Sequence, residues 1–136
     1  MRTGVRSGRG QTRPADRTKR RRFAARAINF AFGAAAGTAP TLNSIEGCDE
    51  GGIVDFTAGA ATGSGTIFTI TFAKVYPFPP AVTFSAGNGN AADHPVLNDF
   101  RCYVESTTTG WSLKTDGAPD AAARYVLHWS ARGWMP

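Results

Sequence analysis

The sequence predicts an all-β fold, a small antiparallel β-sandwich carried behind an extended basic arm, and three observations predict it. Residues 66–73 (TIFTITFA) alternate with period two, Phe68, Ile70 and Phe72 on one face and Ile67, Thr69 and Thr71 on the other, as a half-buried strand requires. Segments of similar character recur along the chain with no long helical interval. Charge is partitioned: residues 1–26 hold ten of the 15 Lys and Arg with a single acid, Asp16, giving +9, while residues 27–136 hold five cations and nine acids, giving −4.

In chain order, residues 1–26 form the arm. It is rich in Arg, Gly, Thr and Ser and has almost nothing to bury before Phe23, so alone in water it cannot offset its ordering entropy. Residues 27–40 form an apolar Ala/Gly-rich linker or docking segment. The wider stretch 23–37 (FAARAINFAFGAAAG), written as a helix, lines up Phe23, Ala27, Phe30 and Ala31, with Gly33 and Gly37 as stops. Two readings stay open there: a helical or irregular linker, or an anchor that inserts Phe23, Phe30 and Phe32 into a partner.

Residues 41–136 form the sandwich, with about six or seven strands. Besides 66–73, strands are expected at 52–57 (GIVDFT), 81–86 (AVTFSA), 100–106 (FRCYVES), 110–115 (GWSLKT) and 124–130 (RYVLHWS), rich in β-branched and aromatic residues. Pro77, Pro79 and Pro80 cannot donate to a ladder, so YPFPP forces a corner before 81–86. TTTG at 107–110 is short enough to close a hairpin, with Gly110 free to take a positive φ. The stretches 87–94 (GNGNAADH) and 116–123 (DGAPDAAA) read as surface loops.

Length and composition exclude several classes. A chain of 136 residues is one small domain, no apolar run approaches the ~20 residues of a membrane-spanning helix, and two cysteines cannot staple a multi-bridge scaffold. Cys48 and Cys102 could bridge or remain reduced thiols.

Residues 59–135 resemble a small β-domain of tailed-bacteriophage virion proteins, found at the C-terminal end of tail-fibre, head-fibre and capsid decoration polypeptides. The parts that carry the resemblance are GAATGSG at 59–65, TIFTITFA, the corner FPPAVTF, YVESTTTGWSLKTDGAP and the closing strand RYVLHW. Trp111 stands where the family usually has Phe after Thr-Thr-Thr-Gly. The resemblance implies an all-β fold, a homotrimer on a virion surface and no catalysis. Residues 1–40 lie outside it.

Candidate sites follow from the arm. Arg13, Arg17, Lys19, Arg20, Arg21, Arg22 and Arg26, with Phe23, Phe30 and Phe32, are the expected contacts to the major capsid protein or other virion subunits, through ion pairs to acidic patches and apolar filling of a groove. Fully extended, twenty-six residues reach on the order of 85–90 Å. The same charge would hold nucleic acid in a salt-dependent way, without aromatic interleaving for base stacking. Arg20 to Phe23 also fit the core of a twin-arginine export signal, interrupted by Arg26 and Asn29. The expected location is therefore the virion, assembled in the host cytoplasm, rather than an exported pool.

Trp111 and Trp134, near a turn and the chain's end, are candidate subunit-interface residues, whereas Trp129 alternates with Tyr125 and Leu127 and belongs to the core. No metal set, cofactor motif or nucleophile–base–acid signature is present: His94 and His128 are far apart, and Asp49, Glu50 and Asp55 lack the spacing of a calcium loop. The expected function is a capsid decoration or head-surface protein. The alternatives are a tail-fibre tip or tail adaptor and a basic-tailed nucleic-acid-binding module.

Overall fold

The computed structural model describes residues 28–93 and 101–133. They build two four-stranded antiparallel sheets, with strand orders β1-β4-β7-β6 and β2-β3-β8-β5. The strands are β1 (Asn29–Phe32), β2 (Thr41–Cys48), β3 (Gly51–Thr57), β4 (Gly65–Thr71), β5 (Ala81–Ala86), β6 (Cys102–Ser106), β7 (Gly110–Thr115) and β8 (Arg124–Arg132). The sandwich expected from the sequence is present, with β1 and β2 added to the six assigned segments.

The inner faces supply the core. β8 is the clearest case: Tyr125, Leu127, Trp129 and Ala131 are buried, while Arg124, His128, Ser130 and Arg132 are exposed. Opposite them, Phe68 and Ile70 of β4 and Trp111 and Leu113 of β7 are at most 1% exposed. Rings pack in a continuous chain from Phe30 to Phe68 (5.2 Å), Phe68 to Trp111 (5.4 Å) and Trp111 to Trp129 (5.6 Å), with Phe56 bridging Phe68 and Tyr125. Such tilted and edge-on pairs add roughly 0.5–1.5 kcal/mol each beyond their buried area.

Four local expectations need correction. First, the helical reading of 23–37 fails over its described part: Asn29–Phe32 is a strand, and Ala34–Ala36 is a single 3₁₀ turn. In a strand Phe30 and Phe32 share a face, pair with Ile70 and Phe68, and pack on the core beneath them, which outweighs the helix propensity of the alanines. Ala35 and Ala36 are fully buried, so residues 28–40 belong to the sandwich rather than to a linker.

Second, β4 does not alternate throughout. Its register against β7 shifts between Thr66 and Phe68, and this bulge buries Ile67 as well as Phe68. Third, the 87–94 loop contains a one-turn helix, α1 (Gly89–Asp93). Asn88 organises it: its Oδ1 accepts from the amides of Ala91 (3.0 Å) and Val126 (3.2 Å), tying the turn to β8.

Fourth, Gly110 is not among the residues with positive φ. Glycine is required there for space instead. An added Cβ would run into the Ile70 carbonyl oxygen and lie 3.1 Å from the Thr71 Cα on the neighbouring strand. The hairpin itself forms as expected, Thr107 N donating to the Gly110 carbonyl at 2.8 Å, with Ser106 opposite Trp111.

Candidate interaction surface

Of the expected arm contacts, Arg13, Arg17, Lys19, Arg20, Arg21, Arg22, Phe23 and Arg26 lie outside the described residues, and so does Trp134. Phe30 and Phe32 are described, and their rings lie 4.8 Å apart over the chain's own core, Phe32 reaching Phe56 at 6.0 Å. They are therefore committed within the sandwich rather than offered to a partner. Trp111 is likewise corrected from interface to core. Its position one residue beyond the hairpin turn suggested exposure, but the β6–β7 register points it inward and leaves it 1% exposed.

Two adjoining grooves lie at the end where β1 begins. There the two-residue turn Asp49–Glu50 joins β2 to β3, and the segment after β4 passes alongside it. Asp49 binds that segment: its Oδ1 accepts from Ala73 N at 2.8 Å and its Oδ2 from Lys74 N at 3.1 Å. Phe72 N donates to Thr109 O and Tyr76 N to Thr108 O, so the loop after β4 is held from both sides. A groove of about 340 Å³ lies here, lined by the half-buried Ile28 and the edges of the largely buried Ile70 and Phe72, with Cys48, Asp49, Glu50 and Lys74 around it.

A second groove adjoins the first and shares Glu50 and Lys74 with it, reaching Tyr76, Pro77 and Arg132. Tyr76 is 7% exposed, and its hydroxyl has no hydrogen-bond partner among the described residues. Burial raises its pKa above the ordinary phenol value, and the charges of Asp49 and Glu50 push the same way. The Lys74 ammonium sits 5.0 Å from the centre of the Tyr76 ring. Beyond it Val75 is 71% exposed and Phe78 47%, an apolar projection on the proline-rich corner that the sequence reading assigned only a turning role.

The outer face of the β2-β3-β8-β5 sheet carries one ordered polar cluster. Arg124 grips Asp55 with two bonds, Nε to Oδ1 at 2.9 Å and Nη2 to Oδ2 at 2.6 Å, and Asn43 donates to Asp55 Oδ1 and to Thr57 Oγ1, both at 3.0 Å. The Arg124 hydrogen bonds hold the Asp55 carboxyl below the usual carboxylate range, against a smaller opposing effect of burial. Asp55 is 9% exposed on an otherwise solvated face because these partners cover it. The cluster fastens β2, β3 and β8 together.

His128 is exposed on β8 opposite Ser85 of β5, as an ordinary sheet position. Among the described residues no three His, Cys, Asp or Glu side chains group as a metal site. Both cysteines are free thiols: Cys48 is half-buried at the end of β2, and Cys102 is buried on β6, where loss of solvent pushes its pKa up to about 11. No helix of the described residues is long and apolar enough to cross a membrane.

Compared with protein-family models, curated proteins and solved structures, the chain matches none.

Proposed function

We propose that this chain is a bacteriophage virion structural protein, a capsid decoration or head-surface protein that binds the major capsid lattice through its N-terminal arm. The observation that carries the reading is the charge partition: +9 in residues 1–26 ahead of a body of −4. A short, stable sandwich with a long cationic extension suits a protein whose folded part sits outside a shell while its arm runs between subunits. The motif resemblance over residues 59–135 supports the same setting.

The mechanism is many weak contacts. Arg and Lys of the arm pair with acidic lattice surfaces, Arg in the bidentate geometry that favours carboxylates. As a homotrimer, the protein presents three arms at once, so each later contact forms at a high effective concentration. In place of the buried Trp111, the exposed Val75 and Phe78 are among the apolar side chains available for subunit or lattice contact, with Leu42, Ile53 and Tyr103 elsewhere on the sandwich. The sandwich contributes position rather than chemistry, and the reading assigns it no catalytic role.

The test is co-sedimentation with particles lacking the protein. Full-length chain binds, chain without residues 1–26 stays in the supernatant, and binding falls steeply with salt because the contacts are ionic. Equal binding by the truncated protein overturns the reading. The tail-adaptor reading, which the fibre-tip members of the resembling family favour, is distinguished by binding to tails separated from heads. The nucleic-acid reading is distinguished by tight binding of the isolated full-length protein to DNA or RNA.

A further inference from the structure

We propose that the groove beside the Asp49–Glu50 turn is the docking site for residues 20–27 of the same chain, RRRFAARA. β1 pairs with β4 as far as Asn29 opposite Thr71; just beyond, Ala73 N and Lys74 N are taken by the Asp49 carboxylate, while Phe72 N turns to the β7 side and donates to Thr109 O. Ile28, the residue before β1, lines the groove.

The chemistry of the segment matches what it meets there. The groove sets the half-buried Ile28 beside the largely buried Phe72 and Ile70, with the acids Asp49 and Glu50 at its rim, and RRRFAARA combines Phe23 with four arginines. Phe23 is five residues from Ile28, a reach of at most about 17 Å, and the arginines flank it on both sides. Among the described residues neither Asp49 nor Glu50 has an ion-pair partner, the two pairs being Lys114 with Glu105 and Arg124 with Asp55. The one cation at the rim, Lys74, is drawn over the Tyr76 ring. The Tyr76 hydroxyl, buried and unpartnered on the adjoining groove, adds an acceptor suited to a guanidinium.

This inference goes beyond the virion reading and does not depend on it. It divides the arm in two: residues 20–27 fasten to the sandwich, and the six cations from Arg2 to Lys19 remain for an external partner. The fastened part would set the direction in which the outer arm departs.

Cys48 lines the groove as a half-buried free thiol and Cys102 is buried, so thiol chemistry reads the site directly. The experiment measures the rate at which a neutral polyethylene-glycol maleimide modifies Cys48, located by peptide mass. Two full-length proteins are compared, the natural chain and a variant carrying Arg20→Ser, Arg21→Ser, Arg22→Ser and Phe23→Ser. The natural chain is expected to react at least about fivefold more slowly at low salt, with the difference shrinking above about 0.5 M salt, where screening is short-ranged. Glu50→Lys in the natural chain should speed Cys48 modification by a similar factor. The protection should not change with protein concentration.

The amide resonances of Ala73 and Lys74 give a second readout should Cys48 react slowly in both proteins; they should differ between the two. Equal rates together with coincident resonances overturn the proposal. Protection that rises with concentration overturns it in favour of a second copy's arm. Particle co-sedimentation is a separate measurement, so this proposal and the virion reading can fail independently.

Discussion

Replacing Phe30 and Phe32 by alanine tests whether the segment before β2 is part of the folded unit. Each ring is half-buried against the core, so each replacement should cost about half of the 3–5 kcal/mol typical of a fully buried Phe, about 2 kcal/mol. The two rings touch at 4.8 Å, so the double variant should lose roughly 3–4 kcal/mol, with the shortfall from additivity reporting their contact. Against a total stability of roughly 5–15 kcal/mol this is a large fraction. Urea unfolding followed by the fluorescence of the core residues Trp111 and Trp129 measures it. At a slope of about 1.3 kcal/mol/M, each single variant shifts the midpoint down by about 1.5 M. Single variants within about 0.3 M of the natural protein would refute the reasoning and return these rings to the role of partner contacts.

Three further outcomes follow from other parts of the fold. Gly110→Ala places a methyl group against the Ile70 carbonyl and should destabilise by about 1–3 kcal/mol in the same assay, whereas substitution at Gly63, where an added Cβ meets nothing within 4 Å, should change little. Because Arg124 holds the Asp55 carboxyl below its ordinary range, the folded state binds fewer protons than the unfolded chain at that site. Its stabilisation is full above the unfolded carboxylate range of about 4 and is lost as pH falls through the folded value, so Asp55→Asn should flatten the acid limb of the midpoint-versus-pH curve. Under native conditions at about pH 8, Cys102 should resist alkylation until the protein unfolds, since burial keeps it a thiol, and intact mass should show no Cys48–Cys102 bridge.

How far the fold can be read from the sequence depends on whether a strand is buried on one face. β8 and the later part of β4 alternate cleanly because one face meets the opposite sheet, and both are legible. β2 is not: Thr41, Leu42, Asn43 and Ser44 are all exposed at the sheet edge, so no face imposes a period. β1 was hidden by composition, since its four residues lie in an alanine-rich run whose i, i+4 and i+7 spacing imitates a helix. The bulge at Ile67 and the inward turn of Trp111 both depend on cross-strand register, which a single strand's sequence does not encode.

The candidate surface was legible in its charges and not in its geometry. The cations of residues 1–26 are conspicuous in sequence. The convergence of Asp49, Glu50 and Lys74 beside Ile28 is not, because it joins a hairpin turn, a loop and the start of the sandwich across more than twenty residues of separation at each step. Asp49 drew notice only as an acid lacking metal-loop spacing. Its actual work is to close the edge of β4, which no spacing rule would have suggested.

The central claim concerns location, and cryo-electron microscopy of purified particles, paired with the intact mass of the chain recovered from them, tests it most directly. The account predicts a full-length chain and trimeric density over the head, with three arms running into the capsid lattice. Density confined to the tail, a chain lacking its N-terminal segment as a cleaved export signal would leave it, or no association with particles would contradict it.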